Sequence, residues 1–366
     1  MTLKKLKFTF LEKLTIIILT YNRQAFALRS IQYWSDTNVN VVVMDGTDKS
    51  IDSVIVNQFK PNIRYIHGPA CYYKRMLSAI DLVETEYVLW GCDDEFYIPS
   101  ALNACIKKLS LDPELVTCGG RSALFDWKNN LVTGSNVYPK LRNLTLQDSI
   151  PTDRIKKLFS NYTPAHSYSV TRTKIRKIVM QEIFSKEYSC YALGELQLEF
   201  LMAYAGKTLI IPELMWLRSD ENEQIVGTNI SFSNIYTFRK WWSDKKRRKE
   251  KNEFIMQMEN SCKKINKINN AKYSAEVEDC FEVYFKNYRK NKNISLFYFF
   301  INTFFQYFPL NIKNIIKKIF KKFGYGSIKQ LPLIDYARLL EAETVKIDFD
   351  ELRKIEKVIN FFYNKN

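Results

Sequence analysis

Three short stretches of this chain are apolar almost throughout rather than at every second position: Leu14–Leu19, Val39–Met44 and Tyr87–Gly91. A strand with apolar side chains on both faces has to be covered on both faces, which is the situation of strands in a mostly parallel α/β sheet. The intervening segments fit that reading. Ala25–Ser35 and Tyr72–Val83 have helical patterns, and Ile63–Ile66 reads as a further strand. Successive βα units predict a mostly parallel sheet clothed in helices. In such sheets ligands sit outside the carboxyl ends of the strands. The polar residues that close the strands therefore become the candidates: Thr20-Tyr21-Asn22-Arg23, Asp45-Gly46-Thr47-Asp48 and Cys92-Asp93-Asp94-Glu95.

A second set of elements is expected between Leu115 and Arg218. It comprises a strand at Leu115–Cys118, a turn at Lys128–Asn130, a helix at Thr152–Asn161 and a strand at Ser167–Thr171. A helix at Gly194–Ala205 and a strand at Thr208–Ile211 complete it. Beyond Arg218 the pattern turns helical, basic and aromatic, so residues 12–225 and 226–366 are expected to form two parts. A 366-residue chain has room for one large domain and an appendage. With 46% hydrophobic and 26% charged residues, wholesale disorder is excluded.

Seven cysteines, odd in number and never spaced as CxxC, argue against a disulfide scaffold or a zinc ribbon and for a reducing cytosol. The 2 histidines, His67 and His166, rule out a His-rich metal site. The N-terminus has no uninterrupted apolar core of a signal peptide. The longest apolar stretch, Ile294–Leu310, is broken by Asn302, Thr303, Gln306 and Pro309, short of a spanning helix.

The net charge of +16 is concentrated: residues 231–330 hold 22 Lys+Arg against 8 Asp+Glu, while the first 230 residues are nearly neutral. Within this basic part Asn311–Phe323 forms an amphipathic pattern. Ile312, Ile315, Ile316, Ile319, Phe320 and Phe323 take one side and five lysines the other. With the aromatic Phe297–Phe308 before it, 294–323 is expected to lie on an anionic membrane surface. Lys245–Lys249, after Trp241-Trp242, is a second basic patch. No nucleic-acid-binding motif accompanies either, so nucleic acid is not an expected partner.

Cys92-Asp93-Asp94-Glu95 places three carboxylates at one strand end, where mutual repulsion raises their pKa values unless a cation intervenes. A hard divalent ion, Mn²⁺ or Mg²⁺, suits such a cluster and characteristically bridges carboxylates to phosphates. Leu14–Arg23, Val41–Asp48 and Glu86–Glu95 followed by Pro99, in this order and at these strand ends, resemble a GT-A glycosyltransferase. More narrowly they resemble the inverting family 2 type that uses nucleotide sugars. The resemblance spans about residues 12–220. It implies a GT-A domain carrying a basic, mainly helical C-terminal extension.

It also implies roles for individual residues. Asp45 would accept a hydrogen bond from the nucleobase, commonly uracil, with Thr20, Tyr21 and Asn22 lining base and ribose. Asp93 would contact ribose or sugar, and Asp94 would hold the metal. Where the family has Arg-Asn in the helix before the acidic motif, this chain has Met76-Leu77, so Lys74 and Arg75 are the candidates to face the phosphates. Glu195, near the start of a late helix, matches the family's catalytic base; the neighbouring position, usually acidic, is Gly194. His166, Trp216 and Arg218 are expected on the acceptor side. The activity so implied is transfer of a sugar, UDP-linked, to a glycan or lipid-linked acceptor in bacterial surface-polysaccharide synthesis. The setting would be the cytoplasm, peripherally on the inner face of the cell membrane. The competing expectation is a non-catalytic binding or scaffold protein with a degenerate GT-A domain and a membrane- or nucleic-acid-binding tail.

Overall fold

Each of the uniformly apolar runs becomes an inner strand. In the computed structural model, which describes residues 10–68, 71–190, 192–222, 238–287 and 330–365, β1 (Leu14–Thr20), β2 (Asn40–Asp45) and β3 (Ile63–His67) are joined by α1 (Gln24–Ser35) and the short α2 (Ser53–Val56). Next come α3 (Tyr72–Asp81), β4 (Tyr87–Cys92), β5 (Phe96–Tyr97) and α4 (Pro99–Leu111). β1 pairs in parallel with both β2 and β4, and β2 with β3. Side chains alternate between two cores, as the pleat requires. Ile17, Val42 and Val88 enter one, and Ile16, Ile18, Val41, Val43 and Leu89 the other. With both faces covered, nothing selects polar residues at alternate positions.

The second half of the sheet runs differently. β6 (Leu115–Lys128) turns back into β7 (Leu131–Asn136) through Asn129 and Asn130, both left-handed at φ 53 and 59, the geometry of a tight two-residue hairpin. α5 (Pro151–Ser160), β8 (Val170–Arg172), α6 (Thr173–Phe184), α7 (Leu193–Ala205) and β9 (Lys207–Ser219) follow. β8 lies antiparallel between β4 and β6, and β9 runs parallel to β6. Among the described residues the sheet has 10 strands, in the order β10 (Leu331–Pro332)-β7-β6-β8-β4-β1-β2-β3, with β9 alongside β6 and β5 on β9. β6 and β9 are much longer than the four-residue strands expected at Leu115–Cys118 and Thr208–Ile211. They continue because register shifts at Gly119/Arg121 and Arg121/Ser122 let both strands bend while still paired.

The C-terminal residues divide between the two cores. α8 (Phe238–Ser243), α9 (Arg248–Ile268) and a helix over 277–287, here α10, bring Phe238, Trp241, Trp242, Phe254, Phe281 and Phe285 against α5 and α7. β10 (Leu331–Pro332) extends the sheet beyond β7. α11 (Leu333–Ala342) and α12 (Phe349–Lys365) then cover the opposite face through Leu333, Ala337, Leu352, Ile355 and Ile359. Lys245–Lys249 lies at the α8–α9 junction, and its lysines are exposed. The amphipathic segment 294–323 falls outside the described residues. Among the described residues, no helix is long and apolar enough to cross a membrane, and no disulfide joins any of the cysteines.

Gly120 marks the tightest point of the β6–β9 crossing. A Cβ there would lie 2.6 Å from Met215 Cβ and 2.7 Å from the Glu213 carbonyl oxygen. Because backbone cannot swing aside, Gly120→Ala is expected to cost about 1–3 kcal/mol through overpacking. Urea titration reads this as a lowered midpoint at unchanged slope; an unchanged midpoint would show that the crossing is looser than described.

Candidate active site

The first wall of the site is built where β1 and β2 end. Asn22 adopts φ 55, a left-handed conformation that asparagine tolerates, and its backbone N–H donates to Thr47 Oγ1 at 2.9 Å. Asp45, the last residue of β2, is 0% exposed. It accepts from Gln24 Nε2 at 2.6 Å, Tyr65 OH at 2.7 Å and the Thr47 backbone at 2.8 Å. Burial alone would raise its pKa, but the bonds from Thr47, Gln24 and Tyr65 outweigh it and hold the carboxyl below its usual value. Gln24 therefore lies in the place expected of a nucleobase.

Arg75 and Lys74 part company. The Arg75 guanidinium is buried beneath the same loop, donating from Nη1 to the Thr20 carbonyl at 2.7 Å and standing 5.9 Å from the Tyr21 ring centre. Gly46 makes room for it, since a Cβ there would come within 2.4 Å of Arg75 Cζ. Arg75 thus braces the two strand ends instead of presenting itself to a phosphate. Lys74, one residue back on α3, points to solvent.

The acidic cluster is closed by Arg23, the one member of the first polar strand-end cluster to which the resemblance assigns no role. Arg23 Nη2 pairs with Asp93 Oδ1 at 2.8 Å and also with Asp94 Oδ2. Thr20 Oγ1 donates to Asp93 Oδ2 at 2.8 Å, and Asn222 Nδ2 donates to Asp94 Oδ2 at 3.1 Å. Glu95 turns the other way and accepts from Trp216 Nε1 at 2.8 Å. Even with these partners, burial leads, followed for Glu95 by the Asp94 charge. Asp93 is pushed up to about 7 and Glu95 to about 8. Burial would lower the Arg23 pKa, but Asp93 and Asp94 together hold it above its ordinary value. Beneath the cluster Arg29 holds the Asp94 carbonyl at 3.0 Å and grips Glu221 at 2.8 and 2.7 Å. Its cation is walled by the rings of Phe26, Phe96 and Phe362.

Opposite stands a wall made by β9, the 138–143 turn and the start of α7. Trp216 is not the open platform expected of it. At 2% exposure it is stacked against Tyr168, 4.1 Å between centres, and Tyr138, 5.5 Å, because β9 continues past Ile211 and carries it inside. Arg218 is half-buried, bonded to Tyr138 OH at 3.1 Å, and its charge acts on both Glu95 and Glu195. Glu195 is exposed at the rim of a cavity of about 340 Å³ shared with Tyr138, Lys140 and Tyr162. Desolvation by these surroundings, and secondarily the Glu199 charge, raises its pKa although the Tyr162 hydroxyl donates to it.

His166 does not reach this crevice. It is 0% exposed, with Nδ1 on Glu199 Oε2 at 2.7 Å and Nε2 on Thr208 Oγ1 at 2.9 Å. Glu199, one helical turn beyond Glu195, also collects the backbone N–H groups of Ala165, His166 and Ser167. Burial would push its carboxyl up, but His166 and these donors keep it below its usual value. This carboxylate pins the 163–167 loop, and with it Tyr162, against α7. Only its spacing of four residues from Glu195 marks it in the sequence.

The cluster suits a divalent cation. Ligand atoms of Cys92, Asp94 and Glu95 lie within 4.8 Å of one another, and the two carboxylates are the hard oxygen donors that Mg²⁺ and Mn²⁺ prefer. Burial drives the Cys92 thiol well above its ordinary pKa, so it stays protonated and is no ligand for a hard ion. The Arg23 guanidinium already shows that positive charge is wanted between Asp93 and Asp94.

The glycosyl transferase family 2 model matches residues 15–170, from β1 into β8. No curated protein matches the chain. Among solved structures, S. aureus TarS 1-349 is 17% identical with a TM-score of 0.42, over 56% of this chain and 60% of that one. The same protein in complex with UDP-GlcNAc gives 16% and 0.43, over 60% and 61%. A further S. aureus TarS structure gives 17% and 0.40, over 56% of this chain and 36% of that one. The chain thus spans less than two thirds of the length of these neighbours. Residues 15–170, which carry the β1, β2 and β4 ends of the crevice, thus match the glycosyl transferase family 2 model.

Proposed function

We propose that the protein is a metal-dependent, inverting glycosyltransferase. It moves a sugar from a nucleotide-sugar donor, UDP-linked, to a glycan or lipid-linked acceptor in bacterial surface-polysaccharide synthesis. The observation that carries this reading is that the Arg218 charge acts on two carboxylates of different environment, Glu95 and Glu195. Glu95 belongs to the buried cluster with Asp93 and Asp94, and Glu195 lies at an open cavity.

In this reading Asp45 takes the nucleobase N–H in place of Gln24, whose side chain yields, while Tyr21 and Asn22 flank base and ribose. Asp93, steadied by Thr20, meets ribose or sugar. Asp94 holds the metal, and Mn²⁺ or Mg²⁺ bound there supplies positive charge for the departing diphosphate. Glu195 removes the acceptor hydroxyl proton as that oxygen attacks the anomeric carbon. The bond from carbon to the diphosphate oxygen breaks as the new bond forms on the opposite face, and its electron pair leaves with the diphosphate. The Tyr162 hydroxyl fixes Glu195, and a raised carboxyl pKa makes it a stronger base at neutral pH. Residues 12–225 would act as the catalytic part and 226–366 as its helical extension. Association with the inner face of the cell membrane through 294–323 rests on the sequence pattern.

Asp94→Ala is expected to abolish turnover while the unfolding midpoint stays within a few degrees of the parent; sustained turnover would remove the metal assignment. Glu195→Gln should keep donor binding and lose about 10²–10⁴-fold in transfer rate. Because the base must be ionised and its pKa is raised, kcat/KM should fall as pH drops through a value above the ordinary glutamate range. A profile that stays flat down to that ordinary range would refute Glu195 as base.

A further inference from the structure

Arg121 is a cation whose counter-ion is missing from the described residues. It sits at the register shift between β6 and β9 and lines a cavity of about 260 Å³ beneath α11. Ser122, Tyr138, Arg142, Tyr336 and Glu343 line it too. Arg121 Nε and Nη1 are shielded from solvent and, among the described residues, meet no acceptor. The charge felt most strongly there is of the same sign: burial first, then Arg142, lowers the Arg121 pKa. Glu343 does not relieve it, because Arg142 already holds Glu343 Oε2 at 2.7 Å and its carbonyl at 3.0 Å. A guanidinium cannot escape by losing its proton, and buried donors left without acceptors are costly. Both guanidinium groups line the one small cavity, and an oxyanion there could accept from Arg121 while sharing Arg142 with Glu343.

We propose that Arg121 and Arg142 form an anion subsite for one phosphate or carboxylate group, carried either by a free ion or by the acceptor glycan. Tyr138 and Pro139 line both this cavity and the one at Glu195. An acceptor lying against Glu195 would therefore have its charged substituent a two-residue wall away. That acceptor-borne form rests on the proposed transfer reaction, whereas binding of a free ion does not.

Thermal unfolding of the full chain in rising inorganic phosphate, at constant ionic strength, tests the subsite. The wild type should show a saturable rise in midpoint, and Asp94→Ala should show the same rise, which places the anion outside the donor cleft. Arg121→Met should lose the rise and, without phosphate, be at least as stable as the parent because a half-buried charge with unpaired Nε and Nη1 donors is gone. Should Arg121→Met fail to fold, Arg142→Gln, at an exposed side chain, should still weaken the response several-fold. Saturation by glycerol phosphate or galacturonate at lower concentration than by phosphate assigns the group to a substituted glycan; the reverse order assigns it to a free ion. No rise in the wild type with any of these anions, or a full rise in Arg121→Met, overturns the subsite. Failure of Glu195→Gln to lose transfer would leave the phosphate result standing, so the two readings fail separately.

Discussion

Three consecutive carboxylates at the end of a strand buried on both faces must be neutralised or protonated, and much of the site's construction answers that demand. Arg23 reaches back from the β1–α1 junction to Asp93 and Asp94. Trp216 donates its indole N–H to Glu95 from β9. Arg29 holds the Asp94 carbonyl from α1 while Glu221 neutralises it in turn, with side chains 1% and 0% exposed. Removing either partner of such a buried pair strands a charge, which is far costlier than the pair is stabilising. The acidic turn is thereby tied to α1, to β9 and, through Phe362 on Arg29, to α12 at the other end of the chain.

The same economy separates rigid from adaptable parts. The wall opposite the acidic cluster is anchored by Glu199, whose oxygens collect three backbone N–H groups, the Ser167 hydroxyl and His166. That anchoring sets Tyr162 beside Glu195, while Glu195 itself remains open to solvent. One glutamate on α7 holds the loop, and the other, a turn earlier, stays exposed at the cavity rim. Their opposite pKa directions follow from that division: donors and a histidine depress Glu199, whereas desolvation raises Glu195.

The parts of this arrangement that were legible in the sequence are those with local causes. β1, β2 and β4 were readable to within a residue or so because strands covered on both faces leave uninterrupted apolar runs, and the acidic turn follows directly from the last of them. β6 and β9 look short in the sequence because Gly119-Gly120 and Pro212 interrupt their patterns, whereas register shifts carry both strands onward. A strand ending at Ile211 leaves Trp216 outside the sheet, whereas β9 carries it inside with its N–H on Glu95. Long-range pairings were the other loss. His166 looks available until Glu199, 33 residues on, is brought to it, and Arg75 looks phosphate-facing until the Thr20 carbonyl claims it. Arg23, in the same polar cluster as Asn22, was the better candidate for charge at the acidic turn, but nothing local said which way it would fold.

Binding of UDP, GDP, CDP and CMP to the full chain, each with Mn²⁺ and with EDTA, tests the crevice most directly. A site in which Asp45 reads a base and Asp94 holds a metal against a diphosphate binds one nucleoside diphosphate, UDP, and loses it in EDTA. Equal binding in EDTA, or binding of none of the four, would contradict that site.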